Sequence, residues 1–222
     1  MILFLHGFLG QKEDWDPLLT HLPSSLPICT LNLPLTATDI ALAVHTQVPS
    51  ARCIIGYSAG GRIALELKHR FPTNYNRVIA ISAHPGLKTE EERKARLITD
   101  EKWISLLKHA PFDQFLEKWY SQELFQTLKA HPHFPDLLLR RKNQNPHDLA
   151  HFLEHFSLAI QTPPNITPNT IWIHGKEDLK YAALYRTLSG KIFSIDNAGH
   201  APHIENSKAC AEVILGAIND HY

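Results

Sequence analysis

The stretch from Arg52 to Arg62, Arg-Cys-Ile-Ile-Gly-Tyr-Ser-Ala-Gly-Gly-Arg, restricts the fold more than any other part of the 222-residue chain. An apolar run, Cys53-Ile54-Ile55, ends at Gly56. Ser58 follows, then Gly60 and Gly61, then a segment of helical composition from Ile63 to Lys68. The order is strand, tight turn, helix, with a serine at the apex. A serine held at such a turn needs neighbours without a Cβ, because strand and helix come closer together than side chains allow. The turn aims the Ser58 hydroxyl at a helix N-terminus, where free backbone N–H groups and the helix dipole favour negative charge.

The rest of the chain reads as scaffold for that turn. Strands are expected over residues 2–5, 28–33, 52–57 and 77–83. Helices are expected over 14–22, over 39–47 with Thr38 as cap, and over 60–70. This β-α alternation is the pattern of a doubly wound parallel sheet with right-handed crossovers. The run Ile2-Leu3-Phe4-Leu5 is apolar throughout, as in a strand buried on both faces.

From His84 to Thr162 no strand is legible. Thr89 with Glu92 reads as a capping box opening a long helix to Leu107. Helices are expected over 112–120, 123–129, 134–143 and 148–160, the last with Leu149, Phe152, Leu153, Phe156 and Ile160 on one face. The Pro-rich stretch from Thr162 to Pro168 leads back to strands 170–174 and 191–195 and helices 180–188 and 207–218. The expectation is an α/β fold: a mostly parallel, doubly wound sheet of about six strands from residues 1–83 and 163–222, with an all-helical cap or lid over 84–162.

Composition excludes several function classes. Lys+Arg and Asp+Glu both number 22, so nothing favours capture of nucleic acid or of an anionic membrane. Cys29, Cys53 and Cys210 are odd in number and far apart, which suits free thiols in strands and a helix better than disulfides or a metal site. No stretch has the length of a membrane span. The opening Met-Ile-Leu-Phe-Leu-His-Gly is too short for a signal core and has no basic leader, so a cytoplasmic location is the expectation. The fifteen histidines are scattered, mostly among polar residues, and most read as surface groups.

In an open parallel sheet the reactive groups sit past the carboxyl ends of the strands. Four candidates fall there: the turn His6-Gly7-Phe8, Ser58, Asp178 and His200. The chain order Ser…Asp…His accompanies the G-x-S-x-G turn. Ser58 needs a base at neutral pH, His200 supplies it, and Asp178 holds the imidazole tautomer and its charge. The backbone N–H groups of Phe8 and Ala59 would form an oxyanion hole. Each has a plainer reading. Asp178 could instead cap the helix after it, and Glu177 is a rival acid. His203 competes with His200, but the pair lacks the Cys or carboxylate partners of a zinc site. His84 and His174 read as structural, and His6 as a turn-shaping residue.

These residues resemble the α/β-hydrolase superfamily and, within it, the MenH family, the 2-succinyl-6-hydroxy-2,4-cyclohexadiene-1-carboxylate synthases of menaquinone biosynthesis. The likeness rests on His6-Gly7-Phe8-Leu9-Gly10 with Trp15, Gly56–Arg62, and His84-Pro85-Gly86-Leu87 with Arg93 and Arg96. It continues in Trp119-Tyr120, Arg141 with Asn143 and Asn145, and Ser157–Gln161. It closes with Gly175–Asp178 and Ala198-Gly199-His200 with His203, Glu205 and Asn206. The resemblance implies no cofactor and a small polycarboxylate substrate. The serine acts as a base, and pyruvate is expelled from a succinyl-cyclohexene. Substrate-binding roles fall on Tyr57, Arg62, Arg96, Trp119 and Arg141; guanidinium forks suit carboxylates. Two features depart from the family. Its leading hairpin is missing, and the loop Asn32–Thr38 replaces Asp-Leu-Pro-Gly-His-Gly-x-Ser. A carboxylesterase or thioesterase, of the pimeloyl-ester type for example, is the alternative, and a non-catalytic receptor is a third reading. The three arginines weigh against the esterase and the complete triad against the receptor.

Overall fold

The computed structural model describes residues 1–219. Six strands, β1 (Ile2–Leu5), β2 (Ile28–Leu31), β3 (Ala51–Tyr57), β4 (Tyr75–Ile81), β5 (Ile171–Gly175) and β6 (Lys191–Ile195), form one sheet in the order β2-β1-β3-β4-β5-β6. Every neighbouring pair is parallel. The register sets Leu5 opposite Gly56 and Tyr57 opposite Ile81. The first turn and the serine turn therefore leave the sheet side by side.

The central strands carry unbroken apolar runs because both faces are covered. Leu3, Leu5, Ile54, Val78, Ala80 and Trp172 face one hydrophobic cluster. Ile2, Phe4, Cys53, Ile55, Ile79 and Ile173 face the other. The second cluster is closed by Trp15 and Leu18 and by Cys210 and Ile214. These come from the short helix α1 (Asp16–Leu19), the 3-10 turn before it, and the terminal helix α11 (Ser207–Asn219). The first is closed by α2 (Ile40–Gln47) and α3 (Ala59–Arg70).

Between β4 and β5 the chain runs through α4 (Glu90–His109), α5 (Phe112–Tyr120), α6 (Gln126–Ala130), α7 (Phe134–Lys142) and α8 (Pro146–Phe156). The capping box is present: Glu92 N donates to Thr89 Oγ1, and Thr89 N to Glu92 Oε2. Phe115, Phe125, Leu149 and Phe152 belong to the same cluster as Ile54 and Ile63, so the helical segment shares its core with one face of the sheet. Two short helices, α9 (Leu179–Tyr185) and α10 (Pro202–Glu205), follow β5 and β6.

Some expectations are corrected. Asp39, not Thr38, caps α2, its Oδ1 accepting from Leu42 N at 2.9 Å. The helix expected over 14–22 is a 3-10 turn, Lys12–Trp15, joined to α1. Helix α8 starts earlier, where Asn145 Oδ1 accepts from His147 N and Pro146 takes the first position. It stops at Phe156 because the Ser157 hydroxyl donates to Asp100 Oδ2 at 2.6 Å and accepts from Ala159 N, drawing the backbone out of the helix. Ile160, 54% exposed, is therefore not on the core face. Cys53 and Cys210 are buried free thiols, while Cys29 is half-buried. Most of the described histidines are at least partly exposed, as expected, while His6, His174, His200 and His203 are buried.

Candidate active site

Ser58 sits at φ +50°, ψ −111°, directly before α3. A non-glycine residue there stores about 1–3 kcal/mol of backbone strain. The surrounding structure enforces it. A Cβ on Gly60 would lie 2.3 Å from the carbonyl oxygen of Leu5, and one on Gly56 would lie 2.3 Å from that of Gly60. The helix thus starts in contact with the end of β1, and only glycines let it. The first turn is as close: a Cβ on Gly7 would be 3.3 Å from that of Ser58. Phe8 follows Gly7, and Ala59 is the first residue of α3, so both residues named for an oxyanion hole adjoin the serine turn.

His200 Nδ1 and Asp178 Oδ2 are 2.7 Å apart, both side chains buried. Asp178 Oδ1 meanwhile accepts from Tyr181 N at 3.1 Å, capping α9. The helix cap and the contact with His200 coexist, one oxygen each. An Nδ1–H donated to the carboxylate leaves Nε2 as the basic nitrogen. Glu177, the rival acid, is exposed. The loop carrying His200 is braced by Glu205, whose carboxylate accepts from Gly199 N at 2.7 Å and Ala201 N at 2.9 Å. The imidazole is walled by Tyr57, Tyr181 and Phe125 at ring-centre distances of 5.5, 5.0 and 5.9 Å.

A cavity of about 40 Å³ lies against Ser58, room for a few waters. Tyr57, Phe8, Trp119, Tyr120, Asp14 and Arg141 line it. Trp119 stacks near Phe8, centroids 5.0 Å apart. Of the three arginines, Arg141 lines this cavity and Arg62 and Arg96 do not. Arg62 is 8% exposed. Its Nη1 donates to Phe156 O and to Gln161 Oε1, and its guanidinium lies over the Phe156 ring. Burial lowers its pKa to about 10. Arg96 Nε donates to both oxygens of Asp100. Arg62 and Arg96 stand near Tyr181 and His84, close enough to perturb both. Their bonds join the helical segment to α3 and to itself. Arg93 does similar work, donating to Leu87, Ala159 and Gln161 carbonyls.

The residues that sequence reasoning missed are Asp14 and Tyr120. Asp14 Oδ2 accepts from Arg141 Nη2, and Asp14 Oδ1 from Arg140 Nη2 at 3.2 Å. Tyr120 OH accepts from Arg141 Nε at 3.4 Å. The only signal for Asp14 was its place between the first turn and Trp15. Burial would raise its pKa, but Arg141's charge and hydrogen bond outweigh that and hold it below the usual value. For Arg141 burial works downward, and Tyr120 and Asp14 reverse it, so the net shift is up.

His6 keeps the role expected of it: Nδ1 bonds Gly7 O at 2.8 Å and Nε2 accepts from Leu33 N at 3.0 Å, with burial lowering its pKa to about 4. His174 Nδ1 bonds Gly175 O. His84 Nδ1 accepts from Gly86 N. His203 is 1% exposed, its ring centre 4.2 Å from Tyr57 and 4.7 Å from Trp15, with no protein partner on either nitrogen. Among the described residues no cluster of His, Cys, Asp and Glu suits a metal ion, and no helix is long and apolar enough to cross a membrane.

The alpha/beta hydrolase family matches residues 2–213. The 2-succinyl-6-hydroxy-2,4-cyclohexadiene-1-carboxylate synthase of Klebsiella pneumoniae subsp. pneumoniae is 31% identical over 238 residues, covering 97% of this chain and 94% of that protein. That of Enterobacter sp. is 30% identical, covering 95% and 88%. The chloroplastic protein PHYLLO of Arabidopsis thaliana is 28% identical across 92% of this chain, which spans only 14% of its length. Among solved structures, MenH from S. aureus superposes with a TM-score of 0.88 at 22% identity, covering 98% of this chain and 92% of that one. A thermophilic esterase from Thermogutta terrifontis gives 0.72 at 17%, covering 99% and 90%. At those identities the structures share the fold.

Proposed function

Because the chain belongs to the alpha/beta hydrolase family and, within it, to that of the 2-succinyl-6-hydroxy-2,4-cyclohexadiene-1-carboxylate synthases, we propose that it carries out that synthase reaction in menaquinone biosynthesis. The substrate is 2-succinyl-5-enolpyruvyl-6-hydroxy-3-cyclohexene-1-carboxylate, and pyruvate is eliminated. Ser58, His200 and Asp178 form the catalytic triad. Ser58 Oγ, relieved of its proton by His200 Nε2, removes a ring proton. The C–H electron pair at ring C2 forms a C2–C3 double bond, the existing C3–C4 double-bond pair shifts to C4–C5, and the C5–O bond to the enolpyruvyl group breaks. The departing enolate takes up the proton that His200 received from Ser58 and leaves as pyruvate. The Phe8 and Ala59 N–H groups stabilise oxyanion charge that develops on the succinyl carbonyl. Tyr57 and Trp119 form the wall of the substrate pocket, and residues 84–162 act as its cap.

The observation that carries this reading is the 2.7 Å bond between His200 and Asp178 beside a serine turn whose cavity is lined by a buried arginine. An ester hydrolase has one carbonyl to recognise and no use for that charge. The test is turnover of the synthase substrate, with pyruvate measured by coupled oxidation of NADH, run in parallel with short acyl esters. Pyruvate release is expected, and a Ser58→Ala variant is expected to lose about 10³-fold or more in kcat. Ester cleavage without pyruvate release would overturn the reading.

A further inference from the structure

Arg141 is 3% exposed and Asp14 is 3% exposed, and the two belong to different parts of the fold. Asp14 comes from the 3-10 turn after β1, and Arg141 from α7 in the helical segment. Arg140, next to it, binds the other Asp14 oxygen. Two guanidiniums thus share one carboxylate and leave a net positive charge. Arg141 Nε and Nη2 are occupied by Tyr120 and Asp14. Arg141 Nη1 is buried and has no partner. An unmet buried N–H is costly, and more so when charged. A bridge that served only to staple two elements together would gain by satisfying it.

We propose that Asp14 is a positioning residue which, with Arg140 neutralising its charge, fixes the Arg141 guanidinium so that the free Nη1 receives a carboxylate of the substrate. The inference rests on the proposed reading of this site as one for a polycarboxylate. It explains why two arginines meet one acid. With Arg141 alone, Asp14 would cancel the charge that the ligand needs. With Arg140 added, one positive charge remains for the ligand.

Two measurements test it. The first is thermal unfolding of the full chain with succinate, against chloride at equal ionic strength. Wild type should gain about 2–4 °C, and Asp14→Asn and Arg141→Met should gain nothing. No gain in wild type would overturn the carboxylate seat. An undiminished gain in Asp14→Asn would overturn the positioning role. The second is kinetics on the synthase substrate. Asp14→Asn should raise KM about 10-fold or more with kcat changed less than about threefold, and Asp14→Glu should recover part of the loss. In an Arg141→Met background Asp14→Asn should add less than about threefold, because it acts through Arg141; an additive loss would overturn the proposal. Should Asp14→Asn fail to fold, the half-exposed Arg140→Ala replaces it, with a KM raised about 3- to 10-fold; an unchanged KM would overturn the charge argument. Succinate stabilisation without pyruvate formation would remove the synthase reading and leave the carboxylate seat standing.

Discussion

Asp178 divides its two oxygens between a helix cap and an imidazole, and this lets its roles be separated. An asparagine keeps an oxygen for the Tyr181 N–H but offers His200 no charge and permits the wrong tautomer. Asp178→Asn should therefore change folding stability by less than about 1 kcal/mol while lowering kcat about 10³–10⁴-fold. Glu177→Gln, at the exposed neighbour, should keep near-normal kinetics. Loss of activity in Glu177→Gln with a working Asp178→Asn would reverse the assignment. At this scale the pairing of Asp178 with His200 was legible because each lies in a turn just past a strand end. The arginines were less so. A guanidinium lies many rotatable bonds from its Cα, and spacing alone does not say whether it ends on a substrate or a carbonyl. Arg141 reaches the cavity, whereas Arg62 is bound to Phe156 and Gln161. Asp14 escaped notice because an acid early in a short helix looks like ordinary N-terminal electrostatics.

The serine turn is an element whose geometry is set by contact with its neighbour. Gly60 faces the Leu5 and His6 carbonyl oxygens at distances no Cβ tolerates, and those oxygens are backbone, with no rotamer to yield. A Gly60→Ala variant must push α3 away from β1. Its expected cost is about 3 kcal/mol or more, read as a lower midpoint in urea with an unchanged slope, and with activity lost even where the protein still folds. A midpoint within error of wild type would show that the close approach is not binding. Elements of this kind were readable in advance: apolar runs mark buried parallel strands, and glycines mark the contact. The end of α8 was not. Its apolar period continues through Ile160, and the period is broken by Ser157 bonding to Asp100, a residue 57 positions away. Sequence periodicity reports the face a helix would bury, not the distant side chain that interrupts it.

Across the whole molecule, the helical segment and the sheet are joined in part by buried polar groups. Gln144 Nε2 donates to Leu9 O, and the Asp14–Arg141 pair lies beside it. Buried histidines predict acid lability. Burial lowers the pKa of His6 to about 4 and of His203 to about 3. Histidines in the unfolded chain titrate near 6.5. Between those values the unfolded chain binds protons that the native protein does not, so stability falls as pH falls. The slope is about 1.4 kcal/mol per pH unit for each histidine, or roughly 3 for the two together. His84, lowered to about 4 chiefly by burial, adds in the same direction with a smaller share because it is half-exposed. Asp14, held below its usual value, contributes stability that is present above the ordinary carboxylate range and lost only at still lower pH. Against a typical total of 5–15 kcal/mol, the unfolding free energy in urea should fall by several kcal/mol between pH 7 and pH 5. A His203→Phe variant should show a slope about 1.4 kcal/mol per pH unit shallower, since the ring packing against Trp15 and Tyr57 survives and no hydrogen bond is lost. A stability that stays level over that range in wild type would mean that these imidazoles are protonated in the native protein and reach water or an acid.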